Sequence, residues 1–245
     1  MDNWGFTDAI SHYCLNPYRD FDYATYVDKH KVKGFVKDIV AVAEEYAYFI
    51  TAEEIDAYDF DVLPDMFVIK ATHGCGWNIV IKDSFYKKEV IVKMKGWLAR
   101  GYRLDKERQY VQVTRGVMIE EYLGDMADYK FYMFNGELGF IQVDVNRTGN
   151  RKQNFYSKDW GFTPINKGRL GGTNAKKPEN FKKIIKTIYL LTEKIGAPPF
   201  VREDTYCKGG ELYFGEYTFT PAGGNTPLQP EEYEKKYGAL LKPSR

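Results

Sequence analysis

The stretch Pro199 to Gly224, PFVREDTYCKGGELYFGEYTFTPAGG, joins two runs of strand-forming residues through a Lys208-Gly209-Gly210 turn and reads as a β-hairpin. Side chains alternate along a strand. Arg202 and Asp204 therefore share one face of the first run, and Glu216 and Thr218 share one face of the second. Paired in register, the hairpin gathers a guanidinium, two carboxylates and a hydroxyl onto one patch. Two carboxylates that close repel unless a cation bridges them. Mg2+ suits the place, since it takes hard oxygen ligands and keeps positions for water and phosphate oxygens. An arginine beside it would face a transferred phosphoryl group. On this stretch alone, a half-exposed hairpin whose charges face water is the alternative.

A chain of 245 residues can bury a good core, as one large or two small domains. Thirty-five Lys and Arg against 34 Asp and Glu leave a net charge of +1, so nothing general points to nucleic acid. Aromatics at 16%, with 20 tyrosines, favour strand faces filled by tyrosine, or a sugar-facing surface. No apolar run approaches the roughly 20 residues that span a bilayer, so no transmembrane segment is expected. The start, MDNWGFTDAISHY, lacks the basic and apolar regions of a signal peptide. Cys14, Cys75 and Cys207 are few, odd in number and far apart, and read as reduced thiols of a cytoplasmic protein. His73 and Cys75 make a lone H-x-C, too small a set for zinc.

Residues 1 to about 27 show no clear period. Asp28-Lys29-His30-Lys31-Val32-Lys33 opens a short helix, with Val32, Phe35, Val36 and Ile39 on one side. Met66–Lys70 and Asn78–Lys82 read as strands, 86–100 as a helix, and Val117-Met118-Ile119 as a strand running into Glu120-Glu121-Tyr122-Leu123. Asp128–Phe134 turns back through Asn135-Gly136 onto Leu138–Val143, the strongest short hairpin signal in the chain. Residues 146–176 look irregular. Pro178 starts a helix with Phe181, Ile184, Ile185, Ile188 and Leu191 at the 3.6 period, and a short helix follows Pro230.

Between the Met66 and Asn78 strands lies Thr72-His73-Gly74-Cys75-Gly76, with Lys70 just before it. Two glycines let the backbone turn its N–H groups inward as an anion nest, and Lys70 adds a point charge. No G-K-[ST] follows and no helix starts there, so this is neither a P-loop nor a dinucleotide fingerprint. It is a strand–loop–strand flap, or an ordinary glycine-rich turn. Glu120 to Leu123 ends a strand where backbone groups and a carboxylate could meet an adenine edge, or where acids simply face water.

The order of these pieces resembles the ATP-grasp superfamily and, more narrowly, the TupA-like ATP-grasp family of bacterial surface-polysaccharide proteins, named for teichuronopeptide biosynthesis. The segments carrying the resemblance are DKHKVKGFV, LPDMFVIKATHGCGWNIVIKD, VMIEEYLGDMADYKFYMFNGELGFIQVD, and FVREDTY with ELYFGEYTFTPAGG, spanning roughly residues 28–224. The resemblance implies an α+β, ATP-grasp fold in which two subdomains clamp ATP between antiparallel sheets. Residues 1–60 would form a truncated N-terminal segment with one lysine-bearing helix, 61–116 the small flap subdomain, and 117–245 the large subdomain with the metal-binding hairpin. It implies that Lys29 and Lys70 hold the ATP phosphates and that His73, Gly74, Cys75 and Gly76 close over them. Glu120, with the backbone at Glu121 and Leu123, would receive adenine, and Asp128 the ribose. Lys130 would reach the phosphates, Arg202 the transferred phosphoryl, and Asp204, Glu216 and Thr218 the Mg2+. Many members carry Asn where Thr218 stands, which puts a second metal in doubt. About 60 residues cannot supply the N-terminal α/β domain that related ligases use for the carboxylate. The implied activity is Mg-ATP-dependent joining of a carboxylate, a uronic acid or peptide of a surface polysaccharide, to an amine. The alternatives are an ATP-dependent phosphotransferase and a non-catalytic ATP-binding partner in a polysaccharide glycosyltransferase complex; polysaccharide-assembly proteins are the protein partners that the resemblance implies.

Overall fold

The computed structural model describes residues 4–103, 105–145, 151–168, 171 and 175–241. In chain order these form α1 (Phe6–Leu15), α2 (Tyr23–Tyr26), α3 (Lys31–Val36), β1 (Ala41–Val42), β2 (Glu45–Phe49), α4 (Ala52–Ala57), β3 (Phe67–Ala71), β4 (Asn78–Ile81) and α5 (Lys87–Leu98). Then come β5 (Val117–Glu121), β6 (Asp128–Phe134), β7 (Glu137–Val145), β8 (Lys152–Tyr156), β9 (Phe162–Thr163), α6 (Phe181–Lys194), β10 (Phe200–Lys208), β11 (Glu211–Thr218) and α7 (Glu231–Gly238). They divide into two compact units. The larger holds residues up to 18, 36–41 and 125 onward, and the smaller holds 19–35 and 42–124. The sequence boundary expected at 116/117 is displaced, because β5 pairs with β2 and β3 and the smaller unit runs on to Gly124. The segment expected over 1–60 is shared between both units.

The larger unit is built on a seven-stranded sheet in the order β1-β11-β10-β6-β7-β8-β9. Asn135 and Gly136 take positive φ (50° and 84°), the backbone that a two-residue hairpin turn demands, and so join β6 to β7. Strand alternation gives the sheet two distinct faces. On one, α6 buries Phe181, Ile184, Ile188 and Leu191, one helical stripe, and Thr192 bonds Glu203 of β10. On the other, Phe134, Tyr132, Phe140, Phe155 and Phe200 form a core with Phe6 and Ile10 of α1 and Tyr237 of α7. Each such side chain, fully buried, contributes about 1.5–3 kcal/mol. Farther along that same face the residue types turn polar, through Lys130, Asp128, Gln142, Asp144, Arg202 and Asp204.

Two stretches of the chain depart from expectation. Helix α1 lies where no period was seen, although Phe6, Ala9, Ile10, Tyr13 and Cys14 are its buried stripe. Its N-cap is Gly5, so the usual oxygen-bearing cap residue is missing from the sequence, and Asp8 accepts from the Gly5 N–H at 2.9 Å instead. Thr7 donates to Glu234 of α7 through both its N–H and its hydroxyl, each at 2.5 Å. The stretch expected to be irregular contains β8 and β9. The polar pattern of β8 hid it, because Gln153 and Asn154 are buried amides.

The smaller unit carries a four-stranded antiparallel sheet in the order β2-β5-β3-β4. Helices α4 and α5 pack on one face over Phe67, Ile69, Ala71, Val117 and Ile119. The alternate positions Lys70, Met118, Val68 and Glu120 therefore occupy the opposite face. Among the described residues no helix is long and apolar enough to cross a membrane.

Candidate functional site

In the smaller unit, Asp28 sets the start of α3. Its Oδ1 accepts from the backbone N–H of His30 and Lys31, and burial pushes its carboxyl above the usual range. That turn holds Lys29 toward the glycine loop. The Lys29 ammonium donates to the Gly74 carbonyl at 2.6 Å, and the Lys29 N–H to Thr72 O at 3.3 Å. Lys70, on β3, binds Glu120 Oε1. Glu120 is almost fully buried. Burial pushes its carboxyl up, but Lys70 and Lys33 together hold it below the usual range. Its second oxygen meets the Lys33 ammonium at 2.5 Å. Lys33 was not singled out from the sequence, although it sits one helical turn past Lys29.

The loop does not use His73 as expected. The ring is 2% exposed. Its Nδ1 accepts from the Gly116 N–H, so Nε2 carries the proton and faces the Trp97 and Arg100 carbonyls at 3.1 and 3.2 Å. Burial lowers its pKa, and the imidazole is a neutral strut between loop, β5 and the end of α5 rather than a side chain offered to an anion. Gly76, at φ 72°, supplies the left-handed turn that the loop needs, and Cys75 is exposed beside it. The Glu121 N–H donates to Glu44 O at 2.8 Å, which takes that group away from any ligand. Leu123 lies just beyond β5, half-buried.

In the larger unit the hairpin pairs as the alternation requires. Arg202 lies opposite Thr218, and Asp204 opposite Glu216. Asp204 Oδ1 accepts from Arg202 Nε at 2.6 Å, and its Oδ2 accepts from Arg202 Nη2 at 2.7 Å and from Lys130 Nζ at 2.8 Å. Burial pushes the Asp204 carboxyl up, but Arg202 and Lys130 outweigh it and hold the group low. Arg202 Nη2 also reaches Thr218 Oγ1 at 3.2 Å, which donates in turn to Glu216 at 3.3 Å. Lys130 stays charged although fully buried, because Asp204 and Asp128 surround it. Asp128, expected at a ribose, is 1% exposed and accepts from Lys130 at 2.5 Å; it serves the lysine.

The row continues into residues that the sequence did not flag. Asp144 lies opposite Asp128 on β7, accepts from Gln142 Nε2 at 2.8 Å, and is bound by Arg151. Gln142 and Asp144 stand two apart in a strand that from Leu138 on is otherwise apolar or glycine, and that spacing was the available signal. No three His, Cys, Asp or Glu among the described residues gather as a metal site. The donor set of the hairpin still fits Mg2+, with two opposed carboxylates and a hydroxyl, all hard oxygens, since this ion completes its shell with water and phosphate. Asp204 would share its oxygens between the ion and Arg202.

The family model described as TupA-like ATPgrasp matches residues 8–242. A comparison with curated proteins finds no match. Among solved structures, the chain resembles a D-alanine–D-alanine ligase from Bacillus anthracis complexed with ATP, at 15% identity and a TM-score of 0.57, covering 89% of this chain and 64% of that one. It also resembles an N5-carboxyaminoimidazole synthetase from Staphylococcus aureus complexed with ADP, at 13% identity and a TM-score of 0.51, covering 80% and 45%. A third is the macrocyclase MdnC from Microcystis aeruginosa bound with its precursor peptide MdnA, at 12% identity and a TM-score of 0.51, covering 93% and 62%. The chain thus spans less than two thirds of these proteins, and at such identities the likeness is one of fold.

Proposed function

The chain belongs to the TupA-like ATP-grasp family, and from that premise we propose that it uses Mg-ATP to join a carboxylate to an amine. A carboxylate oxygen attacks the γ-phosphorus and ADP leaves, giving an acylphosphate. An amine attacks the acyl carbon, phosphate departs, the nitrogen loses a proton to water, and an amide remains. Such chemistry is carried mainly by positioning and by charge.

In the smaller unit, Lys29 and Lys70 bind phosphate oxygens beneath the backbone of Gly74 to Gly76. The adenine edge falls to Glu120 and the backbone at Leu123. In the larger unit, Arg202 meets the transferred phosphoryl with Lys130 beside it. Asp204 and Glu216, with Thr218, hold Mg2+, which supplies neutralisation of phosphate charge when bound. The observation that carries this reading is the hairpin patch, where Asp204 faces Glu216 across the strands while Arg202 and Lys130 bind it. Two carboxylates and two cations held that close, mostly away from water, suit an ion and a phosphoryl group better than they suit a solvated surface.

The carboxylate we propose is a uronic acid or peptide of a bacterial surface polysaccharide, supported by the family alone. The deciding experiment incubates the protein with Mg-ATP, uronic acids and amino acids, then measures ADP and searches for an amide by mass spectrometry. Amide formation that EDTA abolishes is the expected result. A phosphorylated acceptor without amide would make the protein a kinase. ATP binding with no turnover across a broad acceptor screen would leave only a binding role.

A further inference from the structure

Lys33 has a place in this site that no motif assigns. Its ammonium meets Glu120 Oε2 at 2.5 Å and donates to the Ala43 carbonyl at 2.8 Å, with the side chain 12% exposed. Glu120 Oε1 is bound by Lys70, so one carboxylate is shared by two ammonium groups. In so dry a place the Coulomb interaction between neighbours is strong. An ionised Glu120 facing Lys70 alone would form a neutral pair, and a phosphate approaching Lys70 would also meet the carboxylate behind it. With Lys33 on the far oxygen, the trio carries a formal charge of +1. That single unit is what Lys33 contributes, whatever else Lys70 touches.

We infer that Lys33 is a positioning residue for the phosphate-binding lysines of the smaller unit: it neutralises Glu120, so that Lys70 presents its charge to a polyphosphate. The inference rests on the ATP reading above. Lys33 need not touch the nucleotide, and its effect passes through Glu120.

The test is titration calorimetry at fixed Mg2+ with two probes, a non-hydrolysable ATP analogue and inorganic tripolyphosphate, which has no adenine. Lys33→Met should weaken both on the order of 10-fold or more, as expected when a buried charge loses its partner. Adding Glu120→Gln to Lys33→Met should restore most of the tripolyphosphate affinity, since the carboxylate that Lys33 answered is gone. A lysine that merely braced the fold would give no such recovery. Glu120→Gln alone should bind tripolyphosphate at least as tightly as the unaltered protein, and it decides the matter if Lys33→Met does not fold. Unchanged affinity in folded Lys33→Met, no recovery in the double variant, or weakened tripolyphosphate binding in Glu120→Gln would each overturn the role of Lys33. If the unaltered protein bound neither probe, the ATP reading itself would fall, and the inference with it.

Discussion

Adjacent residues on β10 illustrate how burial acts on charge. Glu203 and Asp204 are both buried, yet burial drives the Glu203 carboxyl well above its usual range while Arg202 and Lys130 hold Asp204 low. Alternation explains the contrast, since Asp204 faces the cations and Glu203 faces α6, where Thr192 at 2.6 Å is the partner of Oε1 and Oε2 has none among the described residues. Folding therefore keeps a proton on Glu203 that the unfolded chain releases above about pH 4.3. Its contribution to stability is fully present below that pH and is lost as pH rises through the folded-state value. Glu203→Gln should abolish this decline, so its urea midpoint should fall less than that of the unaltered protein between pH 5 and 9. Parallel midpoints would show that Glu203 folds ionised. Arg202 is a harder case, because it is at once proposed to meet the phosphoryl and seen to bind Asp204. Arg202→Ala should lower the melting temperature, leaving Asp204 with Lys130 but without its guanidinium partner, and should also cut kcat about 100-fold or more, beyond any rise in the KM for ATP. Full activity per folded molecule would confine Arg202 to bracing the hairpin. The hairpin pair was legible from two-residue spacing, whereas Lys33 was not, because it acquires its meaning only from Glu120, a partner distant in sequence.

At the scale of elements, regular spacing made β6, β7, β10, β11 and α6 readable. What escaped were a helix capped by glycine and a strand with two buried amides, Gln153 and Asn154, where local composition contradicts burial. The β10–β11 hairpin has a feature that its residue pattern did not announce. Its register slips between Asp204 and Thr205, and Gly215 fills the irregularity. A Cβ there would stand 2.9 Å from the Asp204 carbonyl oxygen, closer than backbone allows, and 3.0 Å from the Tyr206 ring, which would have to give way. Gly215→Ala should cost about 1–3 kcal/mol by overpacking. It should also shift Glu216 from its place opposite Asp204, so that half-maximal turnover needs more Mg2+. A variant with normal melting and normal magnesium dependence would show that the slip tolerates a side chain.

At the scale of the molecule, the α+β class and the ATP-grasp arrangement were legible from the order of short motifs, each weak by itself. The division into units was not, because it follows contacts and not chain position. The boundary at 116 cut a sheet whose central strand is β5. One consequence lies in time. The smaller unit's sheet uses only strands between Glu45 and Glu121, and can close once that stretch has been made. Helix α1 is synthesised before either sheet, but it packs on strands after Asp128 and on α7, where Gly238 lies against the backbone of Trp4 and Gly5 without room for a side chain. Its docking closes a loop of more than 200 residues, the kind of distant contact that slows folding. Helix α1 should thus settle late, waiting undocked while the strands from Glu45 to Glu121 are already ordered. Pulsed hydrogen exchange during refolding should show amides of β3 and β5 protected before those of α1, and simultaneous protection would mean that the two units fold as one.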